Sequence, residues 1–400
     1  LSLTYSDRSR GTSAGVGGSK FEGISSDAKN PSTLLPGGGV IGDLIIQKYN
    51  EISEKNHSYS LRYNMSLDYE LIRNLHLKVS AGIDYNQQNQ NTFKPRALDS
   101  YTHFSTSEGT ITKDLSILNE NLLTYTFNYL DKHNFNVMLG LSFQKDQSFN
   151  NKGKGINGPN DKIHYVGSGW GGANGLNNTG TAENPSYASA FEYSSGFSEE
   201  RMNSYFGRLT YNYNEKYMFM ASLRREGSSR FGDNHKWGWF PAISAGWRIS
   251  KENFMQDIQW LDDLKVRIGY GVTGNEVTSN LLSMYLLNYG GYAYINGKWT
   301  QGAGPYQNPN PDLKWETKSE LNLGLDFSFL KNRLSGSIDI YHRETSDLLS
   351  TYEVPTPPYI VSSMMANVGK IRNQGIELLL SGTPIKTRDL RFDITGTFSY

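Results

Sequence analysis

The sequence predicts an all-β protein, a transmembrane antiparallel up-and-down β-barrel with long extracellular loops. Three observations predict it: apolar and polar residues alternate with a period of two, short and long connections alternate between these runs, and aromatic residues collect beside the short connections. Alternation alone does not separate a membrane barrel from a soluble sandwich, because both have one apolar face. Length separates them, because the longest runs, 59–71 and 75–85, extend 13 and 11 residues and a strand that crosses a membrane needs about 9–11.

The clearest strand covers 59–71, where every odd position is apolar and every even position is polar. A first strand is expected at 1–6, in a chain that we expect to be cut at both ends. With these two, the alternating runs predict about thirteen strands. The other runs lie at 75–85, 123–129, 135–143, 209–213, 217–223, 243–249, 264–270, 321–329, 334–340, 376–380 and 390–398.

The connections between these runs alternate in length. The short ones lie near 72–74, 130–133, 214–216 and 331–333. The long ones lie near 7–57, 87–114, 149–200, 274–316 and 347–370, and two near 228–238 and 251–262 are intermediate. Outer-membrane barrels have this asymmetry, with tight periplasmic turns and extended outer loops, whereas compact soluble domains seldom carry several long loops.

Aromatic residues have two predicted roles. Those beside the short connections suggest a ring of side chains at one membrane interface; they include Tyr125, Phe127, Tyr129, Phe135, Tyr211, Tyr213, Tyr217, Phe219, Phe327 and Phe329. Rings in the long, polar connections are candidates for contacts with cargo; they are Trp170, Tyr292, Tyr294, Trp299 and Tyr306. The alternative is that the loop rings only pack the loops against one another.

Composition and charge exclude several classes of protein. The 400 residues include 39 basic and 39 acidic side chains, so there is no basic surplus for a nucleic-acid partner. Cysteine is absent, which removes disulfides and thiolate metal sites. No apolar segment is long enough to cross a bilayer as a helix. Charged residues on the polar faces of the strands are expected to face a watery interior and to pair with adjacent strands; they are Arg62, Asp68, Lys78, Asp84, Arg208, Arg224, Arg248, Lys265, Arg267, Asp326 and Asp339.

No motif predicts catalysis, a cofactor or a metal site, so the chain is not expected to be an enzyme. Gly269, Gly271 and Gly274 spell the spacing of a dinucleotide-binding turn. That fold also needs a helix and a second strand ending in an acidic residue, and the second strand is missing here. The glycines are instead expected to let the chain turn outward at the end of a strand. The seven histidines are scattered without ligand spacing.

Several motifs resemble those of SusC/RagA-type TonB-linked outer-membrane proteins of Bacteroidota. They occur in the family's order in Asn203–Met255, Trp260–Asn275, Asn310–Glu316, Asn332–Leu349 and Asn367–Leu378, which together cover about half of the chain from residue 203 onward. The family's Asp is replaced by Glu226 in the RREGSSRFG segment. The matching residues are Arg224, Arg225, Gly227, Ser228, Ser229, Arg230, Phe231, Gly232, Trp237, Phe240, Pro241, Gly246, Trp247, Arg248, Gly271, Gly274, Asn275, Trp315, Glu316, Asn373, Gly375 and Glu377.

The resemblance implies a 22-stranded barrel with an N-terminal plug, in the outer membrane of a Gram-negative bacterium. It implies import of oligosaccharide or peptide cargo together with a SusD-like surface lipoprotein, driven by the TonB-ExbB-ExbD complex. Residues 1–400 would be part of the barrel domain, in contact with outer-membrane lipid, with the plug and the TonB box outside this chain. Two alternatives stay open: a passive porin or adhesion barrel, and a soluble carbohydrate-binding or hydrolytic β protein.

Overall fold

The computed structural model describes residues 2–10, 52–96, 104–166, 176–178, 187–189, 191–255, 257–277 and 279–400. The described elements are nineteen β-strands and two 3₁₀ turns, Ile249–Lys251 and Asn253–Met255. The strands, numbered β1 to β19 in chain order, are Ser2–Arg10, Ser53–Ile72, Leu75–Lys94, Thr106–Tyr129, His133–Ile156, Leu176–Asn178, Tyr187–Ser189, Phe191–Tyr213, Tyr217–Ser228, Trp237–Arg248, Leu261–Asn275, Leu286–Ile295, Lys298–Gln307, Glu316–Phe329, Leu334–Ser346, Leu349–Glu353, Ser363–Asn367, Lys370–Lys386 and Arg391–Ser399.

Thirteen of these strands form one sheet in the order β1-β2-β3-β4-β5-β8-β9-β10-β11-β14-β15-β18-β19. Neighbours in the sheet follow one another along the chain, which is the topology of an antiparallel meander. The other six strands form the two-stranded hairpins β6–β7, β12–β13 and β16–β17. No helix among the described residues is long and apolar enough to cross a membrane.

The thirteen predicted strands correspond one to one to the strands of the large sheet, so the all-β fold is confirmed. The predicted lengths were too short in the first half of the chain, where β2, β3, β4, β5 and β8 span 20 to 24 residues. The extension of β3 is polar on both faces, as its QQNQN segment shows. A polar extension has no apolar alternation, so a period-two pattern cannot reveal it.

Short and long connections alternate between the thirteen strands as predicted, apart from the two intermediate ones that precede and follow β10. We call the ends of the strands joined by short connections the turn edge, and the opposite ends the loop edge. Positive φ angles mark the tight turns: for example, Asn74 follows β2 and Asn214 follows β8. Asparagine tolerates this left-handed conformation better than most residues do.

The two faces of the sheet differ in chemistry. Large apolar side chains remain exposed on one face, which we call the apolar face; on β14 they include Leu321 and Leu323, each 47% exposed. Arg267, Asp326 and Asp339 lie on the opposite, polar face. In a membrane barrel the first face contacts lipid and the second faces the interior.

The described residues fall into two compact units. One comprises Leu1–Met65, Gly82–Ile117 and Asp146–Glu199; in it the buried ring of Phe93 stacks on His164 at 4.2 Å. Arg96 binds Asp161 at 3.1 Å in the same unit. The other unit comprises Ser66–Ala81, Leu118–Lys145 and Glu200–Tyr400. Its buried cluster consists of Phe231, Phe240, Val277, Leu313 and Trp315.

Candidate functional site

An exposed aromatic hairpin, β12–β13, projects from the connection between β11 and β14. Tyr294 and Trp299 are cross-strand partners, and their ring centroids lie 5.4 Å apart in an edge-to-face arrangement. Tyr289, Tyr294 and Trp299 are 71%, 65% and 70% exposed. Asn296 and Gly297 close the hairpin with φ angles of 51° and 78°, as a type I′ turn requires. Aromatic rings held in this way can stack on a sugar ring or pack against a peptide side chain.

Asparagine side chains attach the loop after this hairpin to the β16–β17 loop. Asn308, which is almost fully buried, donates its amide protons to the carbonyl oxygens of Val361 and Ser363 at 2.5 and 3.1 Å. Its amide oxygen accepts the backbone N–H groups of Ile360 and Val361, both at 3.2 Å. The Asn367 side chain accepts the backbone N–H of Lys314 at 2.9 Å and donates to the Lys314 carbonyl oxygen at 2.8 Å. The two loops are therefore joined by hydrogen bonds that only an amide can complete on both sides.

Below these loops, Arg230 links three segments of the chain. Its guanidinium contacts the Glu200 carboxylate and lies 3.2 Å from that of Glu276. It also donates to the Val277 carbonyl at 2.6 Å and to the Asn280 side chain at 3.1 Å. Burial is the largest influence on Glu276 and raises its pKa, against the opposing attraction of Arg230. This charge cluster fixes the loop edge of β8, β9 and β11.

An aromatic cluster packs next to Arg230 in the sequence, around Phe231 and Trp315. Phe231 is 1% exposed and its ring centroid lies 4.7 Å from that of Trp315; the Trp315 indole N–H donates to the Lys236 carbonyl at 3.1 Å. Gly232 passes so close to the next loop that a Cβ would lie 2.0 Å from the carbonyl oxygen of Pro311. Only glycine fits there. Phe231, Gly232 and Trp315, which the family resemblance singled out, thus form the packed base of the loops.

The polar face below carries paired charges. Arg267 on β11 lies 3.2 Å from Asp326 and 2.8 Å from Asp339. It reaches β15 across Gly324, where a Cβ would lie 2.5 Å from the guanidinium carbon. The predicted pairing with adjacent strands is found for Arg62 with Asp84 as well, at 2.7 Å. Opposite charges on neighbouring strands thus offset one another at these points of the polar face.

The turn edge carries the predicted aromatic band. Phe127, Phe135 and Tyr211 follow one another across β4, β5 and β8 with centroid separations of 4.7 Å. Beyond β10, Glu252 accepts the Tyr217 hydroxyl at 2.6 Å and the Trp247 indole N–H at 3.1 Å. Hydrogen bonds from Tyr217, Trp247 and Lys216 lower the pKa of Glu252.

The predicted site residues have mixed outcomes. Tyr294, Trp299 and Tyr306 lie on the exposed hairpin, Tyr292 lies in its strand β12, and Trp170 lies outside the described residues. Whether any of these five contacts cargo stays a prediction.

The expectation that Gly269, Gly271 and Gly274 let the chain turn outward was wrong, because β11 continues through Asn275. The space at Gly274 has a different use, since a Cβ there would lie 2.3 Å from the Phe240 ring. The loop contacts of Asn308 and Asn367 were not predicted from the sequence. The NPNPD segment at 308–312 is unusual enough to indicate a structural role, but the partners of these asparagines lie about 50 residues away in the sequence.

Comparison with known proteins agrees with the geometry. The family model described as "TonB dependent receptor-like, beta-barrel" matches residues 2–400. The chain is 30% identical over 353 residues to the TonB-dependent receptor SusC of Bacteroides thetaiotaomicron, covering 87% of this chain and 33% of that protein. It is 32% identical over 348 residues to the TonB-dependent receptor P39 of Formosa agariphila, covering 86% of this chain and 31% of that protein.

A solved structure of the RagAB peptide transporter superposes with a TM-score of 0.75 at 25% identity, covering 87% of this chain and 36% of that chain. The chain thus spans about a third of the length of the curated relatives that it matches. The family consists of receptors and transporters, so the expectation that the chain is not an enzyme is confirmed. This chain belongs to the TonB-dependent receptor-like β-barrel family of the outer membrane, and within it to the SusC/RagA type.

Proposed function

We propose that the protein containing this chain imports a large nutrient, an oligosaccharide or a peptide, across the outer membrane. In this proposal a SusD-like surface lipoprotein delivers the cargo and the TonB-ExbB-ExbD complex supplies the energy through a plug and TonB box outside these 400 residues. Family membership supports the class of function, and the RagAB relative is described as a peptide transporter. The observation that carries the proposal is the exposed aromatic hairpin.

The hairpin has the properties of a contact surface for a large ligand. Tyr289, Tyr294 and Trp299 lie on one face of it according to the strand register, and all three are at least 65% exposed. Rigid rings lose little conformational entropy on binding. The asparagine contacts of Asn308 and Asn367 fix the neighbouring loops, which reduces the ordering cost of binding further.

The alternative is a passive porin or an adhesion barrel, which would have the same strands and the same apolar face. Energy dependence separates the two, because diffusion through a porin needs no TonB complex. The test is uptake of labelled oligosaccharide and peptide mixtures by whole cells that carry the full-length protein. The proposal predicts uptake that stops when the proton motive force is dissipated or TonB is depleted, and co-purification of a surface lipoprotein. Uptake that persists without TonB would overturn the proposal in favour of a porin.

The role of the hairpin is tested in the same cells with the double variant Tyr294→Ala/Trp299→Ala. Loss of two stacking contacts, each worth about 0.5–1.5 kcal/mol, predicts roughly five- to hundredfold weaker cargo binding. The matched control is Phe254→Ala, which removes a ring that is 68% exposed at the turn edge. Equal loss of uptake in both variants would show that the hairpin has no particular part in binding.

A further inference from the structure

A groove on the apolar face of the sheet shares no residue with the aromatic hairpin that we propose to bind cargo. It encloses about 860 Å³. Leucine side chains from four strands line it, among them Leu77, Leu123, Leu139 and Leu223. Its open floor is Gly207 on β8, which pairs with Leu223 on β9; a Cβ at Gly207 would lie 3.3 Å from the Leu139 side chain. A side chain at this position would therefore fill part of the groove.

One end of the groove carries a positive charge held between aromatic rings. The Arg225 guanidinium carbon lies 4.6 Å from the centroid of a Trp237 ring and 5.4 Å from that of a Trp239 ring. Tyr205 stands next to them, with its ring 5.7 Å from Trp237. Among the described residues, no carboxylate lies within ion-pair distance of Arg225. Its neighbour Arg224, on the polar face, differs in being bound to Glu226 at 2.6 Å.

The position of Arg225 along the strands corresponds to a membrane interface. Tyr213 and Tyr217 pair at the turn edge, and Tyr205 and Arg225 pair eight residues further along β8. Eight residues at about 3.3 Å each give about 26 Å of strand, or about 20 Å of depth at the usual tilt of a barrel strand. The apolar band of an outer-membrane barrel is about 25 Å tall and is bordered by aromatic rings on both sides. On this estimate we expect Arg225 near the far border of the apolar band, close to the lipid headgroups.

We infer that this groove is a binding site for an outer-leaflet lipid, with an acyl chain along the leucines over Gly207 and a headgroup phosphate at Arg225. A guanidinium donates paired hydrogen bonds to a phosphate. The two indole rings hold Arg225 in place by cation–π contact and so reduce the entropy cost of that pairing. Arg225 is exposed on a face that contacts lipid, and no carboxylate in the described part of the chain pairs with it, so an anionic lipid is the partner that matches its charge.

The test uses the full-length protein in nanodiscs, with lipid A as the phosphorylated probe and dephosphorylated lipid A as its uncharged counterpart. Binding is measured by native mass spectrometry after mild detergent release. Arg225→Gln is expected to bind lipid A about fivefold more weakly, the usual contribution of one basic residue near a lipid surface. The control is Arg73→Gln, which removes the same charge from an exposed residue at the turn edge and should leave binding unchanged.

A second variant tests the acyl part. Gly207→Leu fills the groove and leaves Arg225 in place, so retention of lipid A should fall while the barrel remains folded and resistant to detergent. Equal binding of the two lipids by the unmodified protein, or equal loss in Arg225→Gln and Arg73→Gln, would overturn the assignment. Displacement of lipid A by inorganic phosphate alone would overturn it as well, because an acyl lipid held in a groove should not be displaced by the anion.

Discussion

Arg230 shows how a single side chain can organise the loop edge. Its guanidinium lies between Glu200 and Glu276, and its side chain is only 16% exposed. Without it, two half-buried carboxylates would share a small volume with no cation between them. A buried ion pair contributes little net stability when intact, but removal of one partner is costly because the other charge stays buried.

We therefore expect Arg230→Gln to loosen the loop edge by about 3 kcal/mol. The readout is hydrogen exchange of the Gly232 and Asn234 amides, which donate to the carbonyls of Leu313 and Pro311. The control, Arg391→Gln, removes a guanidinium that binds Asp393 at an exposed position and should leave those amides protected. Unchanged protection in Arg230→Gln would refute the role of this cluster.

Glu252 gives a pH dependence at the turn edge. Its folded-state pKa is lowered from 4.5, chiefly by the hydrogen bond from Tyr217. An acid with a lowered folded pKa adds stability that is present above its unfolded pKa and is lost as pH falls through the folded value. We expect protection of the Arg248 amide, which donates to the Lys216 carbonyl, to weaken as pH drops below 4.5. A Glu252→Gln variant should lack this dependence, and an identical pH profile in the variant would argue against it.

At the scale of elements, the sequence predicts the strands of the large sheet well because each must present an apolar face to its surroundings. The three hairpins in the long connections were not predicted. In β12–β13 the pairing register shifts between Tyr289 and Gly291, which breaks the alternation of apolar and polar residues. The glycines and tyrosines of this hairpin are also common in irregular loops. The hairpin depends on a local Asn-Gly turn and on contacts distant in sequence, neither of which appears as a period-two pattern.

The link between the β12–β13 and β16–β17 loops gives a prediction for these elements. Asn308→Ala removes four hydrogen bonds and leaves backbone groups of Val361 and Ser363 without that partner. We expect local opening to become about 2–3 kcal/mol easier, seen as faster exchange of the Ile360 and Val361 amides. Asn288→Ala, at an exposed position of β12, is the matched control. Equal exchange rates in the two variants would show that Asn308 does not join the loops.

For the whole molecule, the aromatic band at the turn edge, the apolar face and the paired charges of the polar face fit a membrane sheet with lipid on one side and water on the other. Motifs that look functional in the sequence, such as Phe231, Gly232 and Trp315, prove to be packing at the base of the loops. The sequence alone could not separate these roles, because both require the same residue types. The proposed cargo contacts would depend on loop conformation, which alternation does not encode.

The two faces of a single strand should meet different solvents, and β14 is the strand on which to measure this. Spin labels are placed one at a time by cysteine substitution at Leu321, Asn322 and Leu323 in the full-length protein, with any other cysteine replaced, in lipid bilayers. We expect frequent collisions with oxygen, which concentrates in lipid, at Leu321 and Leu323, and frequent collisions with a water-soluble nickel reagent at Asn322. Equal exposure of all three labels to the nickel reagent would show that the strand does not separate lipid from water.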